Sequence, residues 1–195
     1  MITSLVLATT NKGKLRDFRL LFEGSGIAIE LPGDHDVALD VEEAGETFAD
    51  NALLKARAFA AALPGRTVLA DDSGLVVEAL GGDPGVRSAR YAGEPGDDRA
   101  NNLLVLERME GVADRRAAFV VVLALVTPDG EELVVEGRCE GTVAFAESGS
   151  NGFGYDAIFY RDDLGRTFGE ATPAEKNARS HRAAAVKALL AKLER

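Results

Sequence analysis

The stretch that most constrains how this chain folds is Val68-Leu69-Ala70-Asp71-Asp72-Ser73-Gly74-Leu75. An apolar run enters two adjacent carboxylates, then a hydroxyl and a glycine. Val68 to Ala70 reads as the end of a buried strand, which Ser73-Gly74 breaks. A strand sends successive side chains to opposite faces, so Asp71 and Asp72 are expected to point opposite ways. One then faces a cleft while the other braces the backbone or caps a turn. Carboxylates at the end of a buried strand are costly unless something pairs with them. Mg²⁺, which takes oxygen ligands and works with one or two carboxylates plus phosphates, is a natural partner. A plain turn is the competing local reading, since Asp, Ser and Gly all favour turns.

With 195 residues the chain suits one domain, 1–195, with a sizeable core that leaves room for two lobes. Apolar residues at 46% and charged residues at 28% are ordinary for a globular protein. No apolar run reaches the length of a membrane span. Met1-Ile2-Thr3-Ser4 has no basic region and leads straight into a strand, so no signal peptide is expected. One cysteine, Cys139, cannot form an internal disulfide and suits a reducing cytoplasm. A net charge of −10 argues against a nucleic-acid partner but leaves room for one small anion in a local basic pocket.

Such pockets are visible along the chain. Ser4 to Thr9 reads as an interior strand, Thr10-Asn11-Lys12-Gly13-Lys14 as a turn, and Leu15, Phe18, Leu21 and Phe22 as a helix. Strand, glycine-containing turn and helix together aim N–H groups at an anion. Lys12 and Lys14 oppose the helix dipole, which a bound anion would explain; a solvated turn is the alternative. Ile27 to Leu31 reads as a second strand, and His35 as an exposed loop histidine. Glu42, Glu43 and Glu46 form an acidic loop before a helix from Phe48 to Ala62, started by Thr47 with Asp50. Leu54, Ala58 and Ala61 line one side of it; Asn51 and Lys55 share another and could reach one ligand.

Beyond the central stretch, Leu75 to Leu80 is a strand or short helix. Arg87 and Arg90 stand in a loop that leads to the turn Gly93-Glu94-Pro95-Gly96. Asp97 or Asp98 caps a helix running to about Met109. Ala117 to Val126 is the most hydrophobic strand, and Leu133 to Glu136 returns antiparallel after Thr127-Pro128-Asp129-Gly130. Glu140 to Glu147 is another strand. Ser148 to Asp156 is a glycine-rich loop with two aromatics that either close over a planar ligand or mark a core edge. Ala157 to Tyr160 is strand-like. Thr172-Pro173-Ala174-Glu175 opens one last helix, whose early turns crowd Lys176, Arg179, His181 and Arg182.

Six segments together resemble the inosine triphosphate pyrophosphatase family. They are Thr9-Thr10-Asn11-Lys12-Gly13-Lys14; Thr47-Phe48 with Asn51-Ala52 and Lys55-Ala56; Ala70-Asp71-Asp72-Ser73-Gly74; Arg87-Ser88-Ala89-Arg90-Tyr91; Gly152-Phe153-Gly154-Tyr155-Asp156; and Glu175-Lys176-Asn177 with Ser180-His181-Arg182. They stand in family order and cover nearly the whole chain. Ala157, Gly169 and Asp17 depart from the residues common in the family, and none is a group assigned to chemistry.

The resemblance implies a mixed α/β fold (α+β mixed), with a long central mixed sheet flanked by helices and an active-site cleft between two lobes. It also implies a homodimer, Mg²⁺ and hydrolysis of non-standard purine nucleoside triphosphates such as ITP, dITP and XTP to monophosphate and pyrophosphate. By motif, Thr9, Thr10, Asn11, Lys12, Gly13, Lys14, Lys55 and Ser73 hold phosphate. Asp72 is the general base and a metal ligand, with Glu43 the second acid. Phe153, Gly154, Tyr155, Asp156, Lys176, His181 and Arg182 hold the nucleoside. A pyrophosphatase of other nucleotides and a non-enzymatic nucleotide sensor are the rival readings; the sensor could dispense with Asp71, Asp72 and Glu43.

Overall fold

The computed structural model describes residues 2–93 and 96–193. Glu94 and Pro95 of the expected turn lie outside the described residues. The strands are β1 (Ser4–Leu7), β2 (Ala28–Glu30), β3 (Val68–Val77), β4 (Arg116–Val126), β5 (Glu132–Val143), β6 (Phe159–Arg161) and β7 (Arg166–Thr167). The α-helices are α1 (Lys12–Leu21), α2 (Phe48–Ala62), α3 (Asp98–Arg108), α4 (Pro173–Asn177) and α5 (His181–Leu193). The strands form one sheet in the order β2-β1-β3-β4-β5-β6-β7. β1 pairs in parallel with β2 and β3, whereas β6 pairs antiparallel with β5 and β7, so the sheet is mixed as expected.

The chain divides into two compact units. Unit 1 comprises Met1–Asp72, Val121–Gly137 and Arg182–Arg195; unit 2 comprises Ser73–Val120 and Arg138–His181. In unit 1 the sheet's two-residue period separates two cores. Leu5, Leu7, Leu69, Val121, Leu123 and Leu125 pack with Phe18 of α1 and Val186 and Leu189 of α5. Their sequence neighbours Val6, Ala8, Val68, Ala70, Val122, Ala124 and Val126 pack with Ala52, Ala56 and Phe59 of α2. β1, β3 and β4 are covered on both faces here, which is why their sequences are continuously apolar rather than alternating. In unit 2, Leu75, Val77, Phe119 and Cys139 join Val105 and Met109 near the α3 C-terminus, Tyr155, Phe159 and Phe168.

Several sequence expectations need correction. Ser73-Gly74 does not break the strand: β3 runs ten residues through it. Gly74 is there for space, since a Cβ would come within 2.3 Å of Ser88 Oγ and 2.5 Å of the Gly85 carbonyl. Ser88 Oγ in turn accepts the Leu75 N–H and donates to the Gly85 carbonyl, so the neighbouring loop packs directly on the strand. Helix α2 has the expected bounds and Thr47 cap, but Leu54 and Ala61 face solvent, and Asn51, Ala52, Ala56 and Phe59 are buried instead. The two strands expected over 133–147 are one, β5, which ends at Val143. The last helix is two, α4 and α5. His35 is half-buried, its Nε2 2.6 Å from Glu30 Oε2, rather than an exposed loop histidine.

Candidate functional site

The parallel register of β1 and β3 pairs Leu7 with Leu69. Two residues further on, the chain turns at Thr9 and β3 reaches Asp71. Asn11 then caps α1, its Oδ1 accepting the N–H groups of Gly13 at 2.8 Å and Lys14 at 3.1 Å. Thr9 Oγ1 accepts the Asn11 N–H at 3.2 Å, so side chains fix this loop at both ends. Thr10, Asn11 and Lys12 are exposed, while Gly13 and Lys14 are half-buried.

The strand period that separates the two cores also separates the aspartates. Asp71 continues the side of Leu69, toward α1 and α5, and its Oδ2 lies 2.9 Å from Lys14 Nζ. Asp72 continues the side of Ala70, toward α2, and its Oδ2 accepts the Asn51 Nδ2 at 3.0 Å. They are 1% and 6% exposed, and neither belongs to a turn, which removes the competing local reading. Lys55, one helical turn beyond Asn51, reaches Glu43 of the acidic loop and donates to the Asp71 carbonyl at 3.2 Å. Arg182, in the first turn of α5, lies 3.6 Å from buried Asp17.

Burial acts on both aspartates, and the surroundings decide the outcome. Burial pushes Asp71 up, but Lys14, Arg182 and Lys55 outweigh it and hold its carboxyl below the usual range. Burial pushes Asp72 up and prevails; Asn51 opposes the rise, the Glu43 charge adds to it, and Lys14 and Lys55 oppose it. Burial alone would lower Lys55, but Asp71, Glu43 and Asp72 raise it. Asp71 is therefore a fixed anion and Asp72 the more basic of the two.

Whether these residues suit a hard cation turns on Asp72 and Glu43. Their like charges couple, which raises the Asp72 carboxyl, and a cation would relieve that repulsion. No group of three or more His, Cys, Asp or Glu among the described residues could hold a metal ion by itself. Two carboxylates are enough for Mg²⁺, which completes its shell with phosphate oxygens and water. The donor set fits.

Unit 2 gathers most of the predicted nucleoside residues. Lys176, 4% exposed, pairs with Asp156, 3% exposed, and its Nζ lies 4.6 Å from the Phe153 ring centroid. Asp156 Oδ2 also accepts the Phe153 N–H at 2.9 Å, and Asp98 accepts the Gly154 N–H at 2.7 Å. Against this loop is a cavity of about 330 Å³, lined in part by Asn102, Glu147, Asn151, Phe153 and Asp156. His181 is 2% exposed and lies 4.9 Å from the Phe119 ring, nearly parallel to it. Tyr155 is turned inward, its hydroxyl donating to the Ser88 carbonyl at 2.7 Å, so it braces the loop. Ser73 directly follows Asp72 in β3.

Sequence reasoning missed three participants. Asn51 was grouped with Lys55 only as a possible ligand contact, yet it holds a carboxylate. Asp17 enters the sequence reading only as a departure from the family pattern, and Asp98 only as a candidate cap for α3, a place that Asp97 takes. A polar residue flanked by Ala52 and Ala56 on a small-residue helix face was the available clue for Asn51.

Known proteins resemble this chain over nearly its whole length. Residues 5–192 match the Ham1 family. The dITP/XTP pyrophosphatase of Geobacillus kaustophilus is 48% identical over 184 residues, 93% of this chain and 90% of that protein. That of Burkholderia pseudomallei is 50% identical over 194 residues, covering 97% and 92%. The solved Ham1 protein of Staphylococcus aureus superposes with a TM-score of 0.88 at 43% identity, covering 98% of each chain. The HAM1 protein of Coxiella burnetii gives 0.88 at 41% identity, covering 100% of this chain and 99% of that one. With the family match extending over nearly its whole length and relatives about half identical, the chain belongs to the Ham1 family.

Proposed function

We propose that this chain hydrolyses non-standard purine nucleoside triphosphates (dITP, ITP and XTP) to the monophosphate and pyrophosphate. The observation that carries the reading is the pair Asp71 and Asp72, one held ionised by lysine and arginine, the other made more basic by burial. It occurs in a chain about half identical to curated dITP/XTP pyrophosphatases. A triphosphate must have its charge neutralised before water can attack it. Lys14, Lys55 and the capped start of α1 supply positive potential, with Thr9 to Gly13 and Ser73 offering polar contacts. Water adds across the α–β anhydride, Asp72 takes its proton, and pyrophosphate leaves.

Mg²⁺, held by Asp72 and Glu43, would neutralise phosphate charge and orient the substrate. Asp71 keeps Lys14 in place rather than reacting. The nucleoside is assigned to Phe153, Gly154, Asp156, Lys176, His181 and Arg182; of these, Phe153, Gly154 and Asp156 line a cavity of a size to take a purine ring. A 6-oxo edge paired with lysine, histidine or arginine donors leaves groups unpaired against adenine. A homodimer in the cytoplasm completes the proposal; no helix among the described residues is long and apolar enough to cross a membrane.

The test is a comparison of kcat/KM for dITP, XTP, ATP and GTP with Mg²⁺ present. Strong preference for dITP and XTP is expected. Comparable values for GTP and dITP would overturn the assigned specificity, and binding without turnover would favour the sensor.

A further inference from the structure

Asn51 is 1% exposed on the buried face of α2, where a polar side chain needs partners. It has two, on different segments. Its Oδ1 accepts the N–H of Gly45, six residues back in the acidic loop, at 2.8 Å. Its Nδ2 donates to Asp72 Oδ2 at 3.0 Å. The backbone N–H can only donate and the carboxylate oxygen accepts, so together they fix which way the amide faces. Gly45 itself has no room to shift inward: a Cβ there would come within 2.6 Å of Asp50 Cβ and 2.7 Å of Asn51 Oδ1. Glu43 lies two residues before Gly45 and is held to the same helix through Lys55.

We propose that Asn51 is a positioning residue. Its amide ties the loop that carries Glu43 to the carboxylate of Asp72, so that the two acids keep one fixed separation. The inference rests on the pyrophosphatase reading and deepens it. A site that does chemistry on a phosphate needs its acids held within a fraction of an ångström, and a 1 Å misplacement can cost about 10²-fold in rate. Asp72 projects from a strand and Glu43 from a loop without regular structure, so α2 holds the loop to the strand through Asn51. A residue that merely filled space would not need two directional bonds to two segments.

Two variants separate the arms. Asn51→Ala removes both bonds. Asn51→Asp keeps an oxygen for the Gly45 N–H but sets a carboxylate against Asp72. Folding is checked by near-UV circular dichroism, and Gly45 amide exchange is followed by NMR without substrate. The expected result is at least about tenfold faster Gly45 exchange in the alanine variant and near wild-type protection in the aspartate variant. In both, kcat on dITP should fall by about 10²-fold with KM within about threefold, the pattern of lost transition-state positioning. A folded Asn51→Asp protein with kcat within about twofold of wild type would overturn the proposal. So would unchanged Gly45 exchange in Asn51→Ala; if that variant does not fold, Asn51→Asp decides. If the wild-type protein itself leaves dITP intact, the pyrophosphatase reading fails, and Gly45 exchange still decides whether Asn51 holds the loop.

Discussion

The charged cluster of unit 1 and the buried ion pair of unit 2 place charge under cover in different ways. In unit 1, Lys55 acts on Asp71, Asp72 and Glu43 alike, and Lys14 acts on both aspartates. In unit 2, Lys176 and Asp156 form a buried pair beside the Phe153 ring, and Asp156 also fixes its own loop through the Phe153 N–H. A shared network can redistribute when a polyanion, a cation or a proton arrives. A buried pair against an aromatic ring keeps a fixed shape. The first arrangement suits a centre whose charge changes during a reaction, the second a surface that recognises one. Breaking each should therefore produce different losses.

The largest loss is expected at Asp72. Asp72→Asn keeps the shape and removes the proton acceptor, so kcat should fall about 10²–10⁴-fold in protein shown to be folded. Asp71→Asn should be primarily a stability lesion. Breaking a buried pair costs about 3 kcal/mol or more, which for a chain of this size is a melting temperature lower by about 6–12 °C.

The signs of the two pKa shifts sharpen this contrast. Asp71 is lowered in the folded state, so its contribution is full above the ordinary value of 3.8 and fades as pH falls through its lower folded value. Asp72 is raised, so its ionisation costs stability as pH rises above 3.8 through its folded value. In metal-free buffer at pH 7, thermal melts should place Asp72→Asn above wild type and Asp71→Asn below it. The differences should close in acid. Equal melting temperatures for all three proteins at pH 7 would mean that the two carboxylates are not held differently.

Much of this was legible in the sequence, for physical reasons that differ by region. The cap and bounds of α2 follow from Thr47 and Pro64, signals that act over a few residues. The opposite facing of Asp71 and Asp72 follows from the pleat of any strand. What failed depended on distant contacts. Ser73-Gly74 resembles a break because nothing local reveals that Ser88, fourteen residues beyond Gly74, occupies the space of a side chain. The buried face of α2 was misassigned because alanines lie on several sides of that helix, so a period of 3.6 selects no face. Only the sheet, through Val6, Ala8 and Ala70, decides it. The candidate site residues come from motif resemblance; the charge states of Asp71 and Asp72 needed the burial and neighbours that only the fold supplies.

A smaller effect is expected on the unit 2 side. Lys176→Met strips the cation from buried Asp156, and breaking a buried pair in this way costs about 3 kcal/mol or more. Read as kcat/KM, the preference for dITP over ATP should shrink by about tenfold or more, while folded protein keeps most of its kcat. A larger fall in kcat than in discrimination would move Lys176 from recognition into the reaction. A last effect probes the interior of unit 2 and leaves catalysis aside. Burial pushes the Cys139 thiol up to about 11, against a lesser opposing effect from Arg161. Native protein at pH 8 should therefore react with iodoacetamide about 10²-fold or more slowly than unfolded protein.

The most direct test of the central claim is the bond that is cut. Folded wild-type protein is incubated with dITP and Mg²⁺, and the phosphorus products are resolved by ion exchange and ³¹P NMR. The arrangement around Asp72 predicts dIMP and pyrophosphate in equal amounts, with orthophosphate absent from the first turnover onward. Release of orthophosphate with dIDP would contradict it.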